Sequence, residues 1–185
     1  MVAYAEVPAH ELLRAEAARF HGVPSDRIVL GHECPRCGSD EHGRPVLRAT
    51  AALRTPAHVS LSRAGALSVV ALTEAGPVGV DVEAPGAAEF AGFDDVALAP
   101  GERAADRTRA WVRKEAVLKA LGLGLALDPR DVVVDGDGRV SWASAEAGPD
   151  GARLQDLDVP GHVVAVAVLA DPDADLRVDV RRASL

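Results

Sequence analysis

Between positions 58 and 83 the chain strings together HVSLS (58–62), ALSVVALTE (66–74) and VGVDVE (78–83), separated only by a turn around Gly65 and an AGP turn at 75–77. The first two runs read as a β-hairpin, and the third as a strand closed by Pro85-Gly86. Links this short leave no room for a crossover helix, which excludes an alternating βαβ architecture here. Helical periodicity lies on either side of this strand-rich centre. HELLRAEAARFHG (10–22) places Leu13, Ala17 and Phe20 on one face before Gly22, and Arg103 to Leu121 is the strongest helical stretch, stopped by Gly122 and Gly124. DRIVL (26–30) reads as a short strand, followed by a loop that ends at Pro45. After the second helix, DVVVD, GRVSWAS and GHVVAVAVLA read as strands separated by DG, GPDG and PG turns. Each half, 1–77 and 78–185, thus offers a helix and a mostly antiparallel strand set. The expectation is an α+β fold forming one compact unit.

Hydrophobic residues make up 48% of the chain but aromatics only 3%, so Ala, Val and Leu must fill the core. With 20 basic against 28 acidic residues the formal charge is −8, which disfavours nucleic acid as a partner held by bulk positive charge. No apolar run approaches the ~20 residues of a membrane span. The opening MVAYAEVPAHELLR has no charged region followed by an apolar one, so a cytoplasmic protein without a membrane partner is expected.

Both cysteines, Cys34 and Cys37, lie in HECPRCGSDEHGRP, with His32 and His42 on either side. One C-x2-C pair cannot staple a chain of this length. Four soft ligands between 32 and 42 admit a small zinc knuckle; a turn carrying two reduced thiols is the other reading.

Two segments carry chemistry. In GVDVE the period of two places Asp81 and Glu83 on one strand face and Val80 and Val82 on the other. Adjacent carboxylates repel unless a cation lies between them, and Mg²⁺ suits one or two carboxylates with phosphate oxygens. A solvated acidic strand end is the plain alternative. The second segment is WVRKEAVLKALG, where Glu115 and Lys119 form an i, i+4 pair. The chain has only two lysines, Lys114 and Lys119, and arginine everywhere else it is basic. A compact ammonium serves phosphate where a planar guanidinium fork does not fit.

GVDVE followed about thirty residues later by W-x-x-K-E-A-x-x-K-A-x-G resembles the paired signature of the 4′-phosphopantetheinyl transferases. These enzymes move the phosphopantetheine arm of coenzyme A onto a serine of an acyl or peptidyl carrier protein, releasing 3′,5′-ADP. The spacing resembles the surfactin-synthetase-activating type, a monomer of two pseudo-symmetric halves with its active site in the cleft between them. HGRPVL (42–47) is similar to that type's G-[RK]-P element, and HVSLS stands where the family usually has N-x-S-H-S. The resemblance implies that Asp81, Glu83 and Glu115 hold Mg²⁺ and that Glu115 and Lys119 are catalytic, as base and as phosphate contact. It further implies that Arg44, Ser60, Lys114 and Lys119 bind coenzyme A, with His58 a substitute contact.

Leu61 replaces the family's His in N-x-S-H-S, and His58 its Asn. Together with the few residues before the first helix, this predicts weaker coenzyme A binding than is usual in the family. Gly101 to Lys119 carries Arg103, Arg107, Arg109, Arg113, Lys114 and Lys119 against Glu102, Asp106 and Glu115, suggesting a positive face for an acidic carrier protein. Phe90, Phe93, Val96 and Leu98 could add an apolar part to it. The competing reading is a non-catalytic relative that binds coenzyme A or a carrier protein without turnover.

Overall fold

Residues 1–48, 57–123, 127–143, 151–170 and 177–184 are described in the computed structural model. In chain order the elements are β1 (Val2–Ala5), α1 (Ala9–His21), β2 (Leu30–Glu33), β3 (Arg44–Leu47), β4 (His58–Ala64), β5 (Leu67–Thr73), β6 (Val78–Glu83), α2 (Phe93–Ala97), α3 (Arg107–Leu121), β7 (Val132–Val134), β8 (Val140–Trp142), β9 (Ala152–Val159), β10 (His162–Leu169) and β11 (Val180–Arg182). The fold is α+β. A four-stranded sheet runs β11-β1-β5-β4, a three-stranded sheet runs β6-β10-β9, and β2-β3 and β7-β8 are two-stranded. All pairings are antiparallel except β1 with β11.

Strand alternation sorts the side chains into layers. On β5, Leu67, Val69 and Ala71 face one way and meet Val78, Val80 and Val82 of β6 and Val164 and Val166 of β10. Val70 and Leu72 face the other way, against Leu12, Leu13 and Ala17 of α1. The opposite face of the second sheet presents Ala165 and Ala167 at its centre, on which Val112, Ala116 and Ala120 of α3 settle. The order is therefore α1, first sheet, second sheet, α3, with aliphatic side chains filling each space as the scarcity of aromatics requires.

Several local expectations change. VGVDVE stands apart from the preceding hairpin: β6 pairs with β10 in the second sheet, while β4 and β5 pair in the first. The strand expected at 26–30 lies at Leu30–Glu33, because a 3-10 turn occupies Ser25–Arg27. Arg44 and Pro45 open β3 rather than ending a loop; the missing N–H of Pro45 is tolerated in a two-stranded ribbon. The long helix begins at Arg107, not Arg103, because the Asp106 carboxylate accepts the Arg109 N–H at 2.9 Å and caps it. Gly22 and Gly122 end their helices in the left-handed conformation, as expected. Gly124 and most of the GPDG turn lie outside the described residues. Among those described, no helix is long and apolar enough to cross a membrane.

Candidate active site

The site forms where β4 and β6, edge strands of the two sheets, come side by side. No ladder joins them; side chains do. The Ser60 hydroxyl accepts the Val80 N–H at 3.1 Å, and two residues on, the Ser62 hydroxyl donates to Asp81 Oδ1 at 2.7 Å. Helix α3 supplies the third wall. In the β6–β10 register Asp81 pairs with Ala165 and Gly79 with Ala167, so Gly79, Asp81 and Glu83 all face α3.

Gly79 sets the depth of that contact. A Cβ there would sit 1.9 Å from the Ala116 carbonyl oxygen and 2.4 Å from the Ala120 nitrogen. Any side chain at 79 would push the helix off the strand. With glycine the helix backbone rests on the sheet, and Glu115 and Lys119 reach the strand carboxylates. Lys119 Nζ lies 2.6 Å from Asp81 Oδ1, 2.9 Å from Ser62 Oγ and 3.3 Å from the Val80 carbonyl oxygen.

The cluster holds more negative charge than this lysine answers. Asp81 Oδ2 and Glu115 Oε1 are buried and have no hydrogen-bond partner among the described residues. Burial, and next the charge of Asp81, push the Glu115 carboxyl above the ordinary range, while Lys119 pulls against them. Glu83 is raised for the same reasons, burial first and then Asp81. Two buried acceptors without donors, beside a third carboxylate, form a hard oxygen donor set that fits a divalent cation such as Mg²⁺.

A cleft of about 450 Å³ opens beside this cluster. Lys119 belongs to both; Arg44, His58, Ser39 and Asp40 are among the other residues lining the cleft, while Asp81, Glu83 and Glu115 are not. The Arg44 guanidinium donates to Glu33 Oε2 at 2.7 and 3.2 Å. It also lies across the C-terminal cap of α3, where a Cβ on Gly122 would come within 3.0 Å of it. His58 stands nearby; burial first, and then the Arg44 charge, lower its pKa.

Asp81, Glu83, Glu115 and Lys119 therefore come together, and Arg44 and His58 line the adjoining cleft. Ser60 is buried, with its hydroxyl engaged by the Val80 amide. Lys114, expected beside coenzyme A, lies apart. It is wholly buried, with Nζ 2.6 Å from Glu102 Oε2 and 3.2 Å from the Pro129 carbonyl oxygen. Five helical residues turn the direction by about 140°, so two lysines so spaced cannot share a face. That signal was present in the sequence. Ser62, which sequence reasoning passed over, stood out only as the same-face neighbour of Ser60. Leu61 packs against the core beneath α1.

The positive face expected along 101–119 is neutralised within the fold. Arg107 pairs with Asp94 at 3.0 Å, Arg113 with Asp156 at 2.8 Å and Arg109 with Asp156 at 3.3 Å. Of the apolar quartet, Phe93 and Leu98 are buried, whereas Phe90 and Val96 are about half exposed.

Compared with known families, residues 77–167 match the 4′-phosphopantetheinyl transferase superfamily. The match contains Asp81, Glu83, Lys114, Glu115 and Lys119, and ends short of Arg44, His58 and Ser60. No curated protein matches the chain.

Proposed function

Residues 77–167 match the 4′-phosphopantetheinyl transferase superfamily, and from that premise we propose that the protein transfers the 4′-phosphopantetheine arm of coenzyme A to a serine of an acyl or peptidyl carrier protein. The observation carrying this reading is the incomplete charge cluster: Lys119 answers one oxygen of Asp81, while Asp81 Oδ2 and Glu115 Oε1 remain buried without donors. A purely structural network would close such groups.

In the proposed reaction the serine oxygen attacks the β-phosphorus of coenzyme A. The bond from that phosphorus to the oxygen bridging the two phosphates breaks, and 3′,5′-ADP leaves. Glu115, whose proton affinity is raised by burial, accepts the serine proton. Lys119, at the boundary of cluster and cleft, meets charge developing on the phosphate oxygens, and Ser62 and the Val80 carbonyl hold its ammonium in place. Asp81, Glu83 and Glu115 would hold Mg²⁺, which when bound neutralises the negative charge of the pyrophosphate. Arg44 and His58 are assigned to the nucleotide end of coenzyme A, the Glu33 pair giving way to phosphate. Ser60 is assigned the joining of β4 to β6, and Lys114 the anchoring of α3. The surfactin-synthetase-activating type, with two halves meeting near 77 and acting as a monomer, belongs to the same proposal. So does action on a polyketide or peptide carrier protein in the cytoplasm.

The test is to incubate the protein with an apo carrier protein, coenzyme A and Mg²⁺ and weigh the carrier. A gain of one phosphopantetheine, lost in Glu115→Ala with its far-UV spectrum unchanged, is expected. Coenzyme A binding with no mass gain on any of several carriers would overturn transfer in favour of a binding-only relative.

A further inference from the structure

The C-x2-C segment plays no part in the chemistry above, yet the fold gathers it. Residues 34–43 join β2 to β3. At their tip Cys34, Cys37 and His42 each present one ligand atom, all within 4.8 Å of one another, with Cys37 Sγ 3.4 Å from His42 Nε2. Zinc–sulfur and zinc–nitrogen bonds of about 2.3 and 2.0 Å put ligand atoms about 3.3–3.8 Å apart along the edges of a tetrahedron. One edge already has that length, and side-chain rotation closes the rest.

The backbone is arranged around the first sulfur. Gly38 N–H donates to the Cys34 carbonyl oxygen at 2.8 Å, and Cys34 N–H to that of Ser39 at 2.9 Å, folding the C-x2-C-G segment into a closed knuckle. The return path needs a glycine. Gly43 has φ +106°, and a Cβ there would lie 2.3 Å from the Glu33 carbonyl oxygen and 2.7 Å from Cys34 Cα. The chain thus crosses directly over Cys34, and this crossing brings His42 back to the sulfurs.

The hairpin is thinly anchored: Leu30 and Leu47 lean on the core beneath α1, but no residue from 29 to 48 is fully buried. A two-stranded ribbon with so little apolar burial is marginal by itself and needs a staple. We propose that Cys34, Cys37 and His42 bind one zinc ion that pins the tip of the β2–β3 hairpin. Binding releases the two thiol protons to solvent and leaves the fourth position to water. His32 is not the fourth ligand; it sits back on β2, with its ring against His10. The proposal stands apart from the transferase reading. It meets that reading only in space, because Gly38, Ser39 and Asp40 form a wall of the Arg44 cleft.

The test uses the full chain purified under reducing conditions without chelator. Elemental analysis should find one zinc ion per chain, lost in Cys34→Ser/Cys37→Ser and in His42→Ala. Cobalt added to the zinc-stripped protein should give the absorption of a tetrahedral thiolate site, again absent from the cysteine variant. Hydrogen exchange at 30–47 should slow on zinc addition, while far-UV spectra confirm that each variant is folded. Stripped parent protein that takes up no cobalt, equal metal uptake by the cysteine variant, or a Cys34–Cys37 disulfide in the reduced preparation would each overturn the proposal.

Discussion

Helix α3 carries two lysines, each 2.6 Å from a buried carboxylate, and the two pairs have opposite characters. Around Lys114 every group is answered. Glu102 Oε2 also accepts the Ala99 N–H at 2.8 Å, and Lys114 donates to Pro129 as well, so one closed knot ties α3 to the loop before it and the turn after it. Its ammonium is 0% exposed, and burial lowers its pKa against the attraction of Glu102. Around Lys119 the network stays open. The lysine is 29% exposed beside a cleft, and two carboxylate oxygens near it lack donors. Residue type and distance are the same; completeness differs. A closed pair buys position, whereas an open one is available to a ligand.

The comparison breaks most sharply at Lys114. Lys114→Ala leaves Glu102 buried with its charge unanswered and should destabilise the fold by about 3–5 kcal/mol in urea titration, while activity per folded molecule survives. Loss of activity without loss of stability would reverse the assignment of the two lysines. Lys119→Ala should do its main damage to activity: kcat falls about 10²–10³-fold in the carrier mass assay, with a smaller fall in the denaturation midpoint than Lys114→Ala because Asp81 keeps its hydrogen bond from Ser62. Lys119→Arg should also lose activity, because the planar fork cannot reproduce a point charge between Asp81, Ser62 and Val80.

Gly79→Ala probes the contact that sets the open pair. Lifting α3 should destabilise by about 1–3 kcal/mol and lower kcat without touching a charged group. Unchanged kcat would show that the depth of α3 does not position Lys119.

The smallest effect expected is a pH dependence. Glu83 and Glu115 bind protons more tightly folded than unfolded. Their contribution to stability is therefore full below the ordinary value of 4.5 and is lost as pH rises through the raised values. In metal-free protein the melting temperature of Glu115→Gln should gain on the parent as pH rises towards neutrality, and Mg²⁺ should shrink that gain. A constant difference across pH would mean that Glu115 is not strained in the fold.

Much of this site was legible because its rules are local. The period of two put Asp81 and Glu83 on one face, and four residues put Glu115 and Lys119 one helical turn apart. The residue pattern also marked the 58–73 hairpin, the closing strands and both helix stops. Helix starts and sheet membership were less visible, because they depend on contacts outside the segment. The cap at Asp106 moved the start of α3, and β6 finds its partner in β10, some eighty residues on.

The sequence by itself determined the alternations and helical faces, and with them an α+β chain and a family signature. Only the tertiary structure decided which lysine is buried, that Ser60 and Ser62 stitch two sheet edges together, and that Gly79 lets α3 rest directly on β6. The physical reason is range. Side-chain direction is fixed by the backbone within a few residues, whereas burial and pairing depend on whatever surface the rest of the chain brings alongside.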